Sequence, residues 1–156
     1  MRIHAIQTGS VRIKTAQAEG RGRALRRRLA VLGDRQWTQW LPTYAWAIEH
    51  SEGVIVVDTG QGMHLLESRR SLHHVSVVVE DQGVAAYFLS GDASYDQRLM
   101  LAGRVDGISA DDEVAGATLR AIGQFARSRR VVYLPTHDPE SAARLADRTC
   151  VPSVHL

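Results

Sequence analysis

Two short apolar segments of this chain each end in side chains that can perform acid–base or metal chemistry. Residues 86–90 are apolar and aromatic, Gly91 breaks the segment, and Asp92 follows. Residues 131–135 are β-branched and aromatic and end in proline, and His137 stands two positions later. Runs of this kind predict buried strands, so we expect a carboxylate and an imidazole at the tips of two strands. We therefore predict one site built from two distant segments.

The composition predicts one globular domain spanning residues 1–156. Hydrophobic residues make up 44% and charged residues 23% of the chain, which is ordinary for a folded domain. The formal net charge of +2 is too small to predict a nucleic-acid partner. Cys150 is the single cysteine, which excludes an intramolecular disulfide and a cysteine-based zinc site. No apolar run has the length of a leader or a membrane span, so we expect a cytoplasmic protein with no membrane partner.

The N-terminal part predicts three β-segments. Residues 3–14 alternate apolar and polar side chains around Thr8-Gly9-Ser10, which indicates a hairpin of two short strands. Residues 41–49 predict a strand, and residues 53–57 predict the most clearly buried strand of the chain. Ser51-Glu52-Gly53 between these two is suited to a hairpin turn.

An arginine-rich segment separates the first two of these β-segments. Residues 16–34 hold five arginines between positions 21 and 28, with Gly20 and Gly22 among or beside them, and show no helical pattern. We interpret the segment as a solvated loop. A nucleic-acid interface is the alternative, but Trp37 and Trp40 follow the charges instead of alternating with them, which disfavours base stacking. Nucleic-acid binding is therefore the least favoured hypothesis.

The second half of the chain alternates predicted strands and helices. Residues 73–80 and 85–90 predict two strands. A short helix is predicted at residues 96–102, and the acidic residues within 109–113 predict the start of a longer one. A last helix is predicted to begin at Pro139-Glu140. Together with the N-terminal strands, these elements predict a mixed chain of the α/β (α+β) class.

Four segments follow one another in a characteristic order. They are Val56-Val57-Asp58-Thr59-Gly60, residues 74–79, residues 91–95 and Pro135-Thr136-His137-Asp138. Each segment alone is a weak signal. Together and in this order they resemble the landmarks of the metallo-β-lactamase superfamily, most closely the branch that contains the N-acyl-homoserine lactonases. The resemblance covers most of the chain.

The resemblance implies a fold, a cofactor and roles for four residues. The fold would be an αββα sandwich with a zinc site at one edge, and the substrate would be a small-molecule lactone or ester. Asp92 would be the metal-bridging carboxylate and His137 the last histidine ligand, since a carboxylate can bridge two cations and offset their charge. Tyr95 would be the catalytic phenol that binds the lactone carbonyl. Asp58 matches a largely structural residue that orders loops near the metal.

A segment that the family carries is missing from this chain. The motif His-x-His-x-Asp-His does not occur, and only residues 61–73 stand where the family has a long segment. We therefore predict an internal truncation with its junction near residues 61–70. Arg70 stands at the position of a further family histidine, and its positive charge would repel a metal ion.

The predicted metal site is consequently incomplete. Asp92 and His137 are the family ligands that are present, whereas catalytic zinc sites use three protein ligands and structural sites four. His64, His73 or His74 could act as a substitute ligand, but the pattern favours a loop residue at His64, a polar strand start at His74 and its exposed neighbour at His73. We therefore expect metal-dependent lactone or ester hydrolysis to be weak or lost. A non-catalytic remnant, or a binding module of the same fold, is the alternative.

A truncated sandwich would also expose apolar strands. Residues 54–57 and 75–79 are too apolar to be expected in contact with water. Association across a twofold axis would cover them, so a homodimer is a further hypothesis.

Overall fold

In the part of the chain that the structure describes, two three-stranded sheets lie at the centre and helices lie beside them. The computed structural model describes residues 1–20, 22, 24–58, 76–81 and 85–152. The strands are β1 (Arg2–Val11), β2 (Leu41–His50), β3 (Gly53–Val57), β4 (Val77–Glu80), β5 (Ala86–Gly91) and β6 (Val131–Pro135). The helices are α1 (Thr15–Glu19), α2 (Ala24–Gly33), α3 (Gln97–Leu101), α4 (Asp112–Ser128) and α5 (Ser141–Asp147).

The first sheet is antiparallel and has the strand order β1-β2-β3. The predicted hairpin within residues 3–14 is wrong, because β1 is one strand that pairs with β2 along its whole length. A register shift between Gln7 and Gly9 marks a bulge where the turn was expected. The bulge keeps both halves of β1 bonded to β2. The turn predicted between β2 and β3 is confirmed, and Gly53 has a φ of 146° there, which favours glycine.

The second sheet is mixed and has the order β4-β5-β6. β4 is antiparallel to β5, whereas β5 and β6 run parallel, with Ala86 opposite Val131 and Gly91 opposite Pro135. The strands predicted at residues 86–90 and 131–135 are thereby confirmed. Because β5 and β6 are parallel neighbours, their carboxyl ends lie at the same edge of the sheet.

The two sheets pack face to face, and helices cover the outer face of the second sheet. The layer between the sheets is built from Tyr44, Trp46, Ile48, Val79, Tyr87, Leu89, Val132 and Leu134. Alternate residues of β5 and β6 point the other way, onto α3 and α4, in a cluster that includes Phe88, Tyr133, Met100, Leu119 and Ile122. The α+β class is confirmed. The four-layer αββα sandwich stays a prediction, and so does the single domain over residues 1–156. The predicted junction near residues 61–70 lies outside the described residues.

The arginine-rich segment is not a solvated loop, because it contains α1 and α2. α1 ends at Gly20, which adopts a left-handed conformation with a φ of 57°. A Cβ atom at Gly20 would lie 1.7 Å from the carbonyl oxygen of Val105, so only glycine fits. Arg27 of α2 is buried and pairs with Asp112 at the start of α4. The contact with Asp112, a residue distant in the sequence, thus holds α2 in place, although the sequence pattern of this segment predicted no helix.

β3 is not buried, contrary to the prediction from its sequence. Val54, Ile55 and Val56 are all exposed. Among the described strands β3 lies at an edge of the first sheet, so its apolar side chains lack the cover that β2 receives.

The helices of the second half agree with the sequence. Asp96 caps α3 by accepting a hydrogen bond from the backbone N–H of Leu99, and Asp111 caps α4 through the N–H groups of Glu113 and Val114. Within the described part of the chain, no helix is both long enough and apolar enough to cross a bilayer.

Candidate functional site

Asp92 and His137 meet at the common edge of β5 and β6. Gly91 ends β5 opposite Pro135, and its positive φ of 56° turns the chain so that Asp92 follows at the strand tip. The Nε2 atom of His137 lies 3.2 Å from the Oδ1 atom of Asp92. The structure therefore brings together the two side chains that the sequence places at the strand ends, and their role as a functional site stays a prediction.

The first sheet supplies the other contacts of the His137 loop. The Nδ1 atom of His137 lies 3.0 Å from the carbonyl oxygen of Pro42, at the start of β2. The backbone N–H of Tyr44 donates to the carbonyl of Thr136 at 3.0 Å. The hydroxyl of Thr136 in turn donates to the carboxylate of Asp58, the residue after β3. Asp92 and His137 therefore lie where the edges of both sheets meet, and Asp58 contacts the loop that carries His137.

The contact with Pro42 determines which nitrogen of His137 carries a proton. A carbonyl oxygen can only accept a hydrogen bond, so Nδ1 must be the donor. Nε2 of the neutral imidazole then directs its lone pair at the Asp92 carboxylate. Two acceptors 3.2 Å apart repel each other unless a proton or a metal cation lies between them. A proton on Nε2 or a metal ion bound to both atoms would remove this repulsion.

The pKa of His137 reflects the same arrangement. Burial lowers the pKa of this imidazole, but the hydrogen bonds to Asp92 and to the Pro42 carbonyl raise it. The negative charges of Asp92 and Asp58 add to the rise, and the net pKa lies above the ordinary value of 6.5.

Tyr95 lies against the imidazole ring. The ring centroids of Tyr95 and His137 are 5.9 Å apart with an interplanar angle of 34°. Gln17 of α1 donates a hydrogen bond of 3.0 Å to the phenol oxygen. Burial raises the pKa of the Tyr95 phenol, against the opposing effect of the Gln17 bond. The phenol therefore keeps its proton at neutral pH and can donate it in a hydrogen bond to a ligand.

A buried ion pair anchors the loop that carries His137. Asp138 and Arg144 are both buried and form a salt bridge. The carboxylate of Asp138 also accepts from the backbone N–H of Gln97, two residues after Tyr95. Arg144 donates to the carbonyl of Tyr133 in β6 at 3.1 Å. Sequence analysis missed this pair, because an Asp and an Arg six positions apart give no signal of burial.

The predicted zinc ligands agree in part with zinc chemistry. Two ligands of one tetrahedral zinc ion lie about 3.3 Å apart, close to the separation of Nε2 and Oδ1. Metal-binding histidines usually donate their other N–H to a carbonyl or carboxylate, as His137 does to Pro42. The described residues contain no group of three or more potential ligands, and Asp92 and His137 would supply two of the four positions around a zinc ion. The substitute ligands His64, His73 and His74, and the opposing Arg70, lie outside the described part of the chain.

Comparison with known proteins adds no family. No protein-family model, curated protein or solved structure matches this chain. The resemblance of its motifs to the metallo-β-lactamase superfamily therefore stays a prediction.

Proposed function

We propose that this protein is a metal-dependent hydrolase of small lactones or esters with an incomplete site, in which Asp92 and His137 hold one zinc ion. One observation carries the proposal. Nδ1 of His137 is committed to the Pro42 carbonyl, so its Nε2 atom and the Asp92 carboxylate face each other at 3.2 Å, a separation that a zinc ion bound to both atoms would match. The activity is low, since a typical catalytic zinc site has a third protein ligand.

The side chains around the pair have separate tasks in this proposal. Zinc, when bound, supplies Lewis acidity and lowers the pKa of water. Tyr95 donates its phenolic proton in a hydrogen bond to the carbonyl oxygen of the substrate, where negative charge develops during attack. Gln17 holds the phenol oxygen in place through its amide N–H. Pro42 and Asp58 orient the His137 loop, so the imidazole does not have to reorganise.

A second candidate is a non-catalytic protein in which Asp92 and His137 form a structural ion pair. The raised pKa of His137 favours it, because a proton satisfies the pair as a metal would. The number of ligands within the described residues favours it too. In this case Tyr95 has a packing role only.

Zinc binding by the purified protein separates the two candidates. Isothermal titration of the chelator-treated protein with zinc is compared with that of an Asp92→Ala, His137→Ala double variant. The matched control is His4→Ala, Glu49→Ala, which removes another histidine–carboxylate pair, 3.4 Å apart on β1 and β2. We expect one zinc per chain in the wild type and the control, and none in the site variant. No zinc in any of the three proteins would establish the non-catalytic alternative.

Hydrolysis is then tested with zinc present. We expect slow turnover of a short-chain acyl-homoserine lactone or a 4-nitrophenyl ester by the wild type. Tyr95→Phe lowers that turnover about 100- to 1,000-fold while zinc binding is unchanged, since removal of one carbonyl-stabilising donor acts on the transition state. Equal turnover by wild type and the Asp92→Ala, His137→Ala variant would contradict the proposed site.

A further inference from the structure

Helix α2 exposes its leucines and buries an arginine, which is the reverse of an ordinary surface helix. Its three leucines face outward, with 69% of Leu25, 54% of Leu29 and 82% of Leu32 exposed. Arg27, in contrast, is 1% exposed and donates to Asp112 and to the carbonyl of Ser109. A surface helix normally buries its apolar side chains and leaves arginines in water. The ion pair with Asp112 therefore fixes the helix with its leucines outward.

The leucines form a narrow seam with defined spacing. Leu25, Leu29 and Leu32 stand at positions i, i+4 and i+7, which places them within a stripe about 60° wide on a helix of 3.6 residues per turn. This is the spacing of the d, a and d positions of a heptad, and it is also the anchor spacing of a helix that packs into a partner. Arg27 lies opposite the seam, where a heptad helix has its outermost position.

Arginines flank the seam on both sides. Arg26 and Arg28 occupy the positions next to the leucines, the e and g positions in heptad terms, and both are exposed. Arg28 donates to the backbone carbonyls of Ser109 and Ala110, which hold the guanidinium without cancelling its charge. Charges at e and g select the partner of a heptad helix, and two positive charges select a negative partner.

We propose that α2 is a docking site for an acidic amphipathic helix of another protein. The partner packs leucine-like side chains onto Leu25, Leu29 and Leu32 and places glutamates against Arg26 and Arg28. A second copy of α2 would bring arginine against arginine, which opposes self-association. Nucleic acid would leave the leucines without apolar contacts, and a membrane surface is distinguished from a partner helix by the vesicle experiment below.

Binding is tested with synthetic helices and the full-length protein. The first probe is a labelled three-heptad peptide with isoleucine and leucine at its a and d positions and glutamate at e and g. The second probe has lysine at e and g. Fluorescence anisotropy is expected to show saturable binding of the acidic peptide and none of the basic one. Leu29→Ala weakens binding about tenfold, since it removes one apolar contact from the centre of the seam. The control Leu101→Ala, at an exposed leucine of α3, leaves binding unchanged.

Reversing the charges beside the leucines tests the charge of the partner more directly than removing a leucine does. In an Arg26→Glu, Arg28→Glu variant we expect the preference to switch from the acidic to the basic peptide, and the single Arg26→Glu variant covers the case in which the double variant is unfolded. Absence of binding by the acidic peptide, or binding that neither Leu29→Ala nor Arg26→Glu alters, would overturn the proposal. Leu29-dependent sedimentation with phosphatidylserine vesicles, without peptide binding, would overturn it in favour of a membrane surface.

Discussion

Asp138 and Arg144, both buried, connect the loop after β6 to α3 and α5. Replacing Arg144 with methionine keeps most of the volume but leaves the Asp138 carboxylate buried without its counter-charge. We expect the free energy of unfolding to fall by about 3 to 5 kcal/mol, which is the usual cost of removing one partner of a buried pair. Urea denaturation followed by circular dichroism measures the change.

Glu140→Gln is the matched control for this pair. Glu140 accepts a hydrogen bond of 3.0 Å from the same Arg144 side chain, but its carboxylate is in water. We expect a loss below about 1 kcal/mol, as for other exposed ion pairs. Equal losses of unfolding free energy in the two variants would show that burial does not determine how much the Asp138–Arg144 pair contributes to stability.

The buried phenol of Tyr133 should make the free energy of unfolding depend on pH in the alkaline range. Burial raises the pKa of the Tyr133 phenol above its usual value of 10.0. The contribution of the Tyr133 phenol to the free energy of unfolding is therefore complete below about pH 10. It is lost as the pH rises toward the folded-state pKa, because the unfolded chain then releases a proton that the folded chain keeps. At neutral pH, Tyr133→Phe should cost about 1 kcal/mol through the lost bond to Ser94. That deficit should shrink above pH 10, and parallel stability curves for the two proteins would contradict the assignment.

At the scale of elements, Gly20 tests how α1 joins the rest of the molecule. Gly20→Ala adds a methyl group in a left-handed conformation and against the carbonyl of Val105. We expect a loss of about 2 to 4 kcal/mol in unfolding free energy. Gly33→Ala at the end of α2 is the control, since a Cβ atom there has no neighbour within 4 Å. Its effect should stay within about 1 kcal/mol, and a Gly20→Ala protein as stable as this control would contradict the close approach.

Hydrophobic periodicity was sufficient to predict some helices and strands of this chain and failed for others. β5, β6, α3 and α4 could be predicted because their side chains carry the pattern of burial and of capping. α2 could not, because its leucines face outward and its buried residue is an arginine. A periodicity argument assumes that apolar residues face the core, and the Arg27–Asp112 pair reverses that assumption.

For the whole molecule, we propose that two copies associate through β3. β3 lies at an edge among the described strands, exposes Val54, Ile55 and Val56 and carries no charge, so antiparallel pairing of two β3 strands brings no like charges together. We expect sedimentation velocity to show a monomer–dimer equilibrium that shifts with protein concentration. Val54→Lys should abolish the dimer. Val114→Lys is the control, because Val114 on α4 is exposed to the same 62% as Val54.

If the wild-type protein sediments as a monomer at every concentration, the proposed dimer is wrong. A dimer that survives Val54→Lys would move the interface away from β3. Both outcomes leave the proposed helix-docking face on α2 untouched, because that face and β3 are separate elements.

The sequence by itself determined the strands that end at Gly91 and Pro135 and the presence of Asp92 and His137 just beyond them. Strand pattern, turn chemistry and caps are local, and a single chain displays them. Only the tertiary structure decided that β5 and β6 are parallel neighbours, that Pro42 fixes the proton on Nδ1 of His137, and that Asp138 and Arg144 anchor the loop. These contacts join segments up to 95 positions apart, and their burial depends on packing that no local pattern reveals.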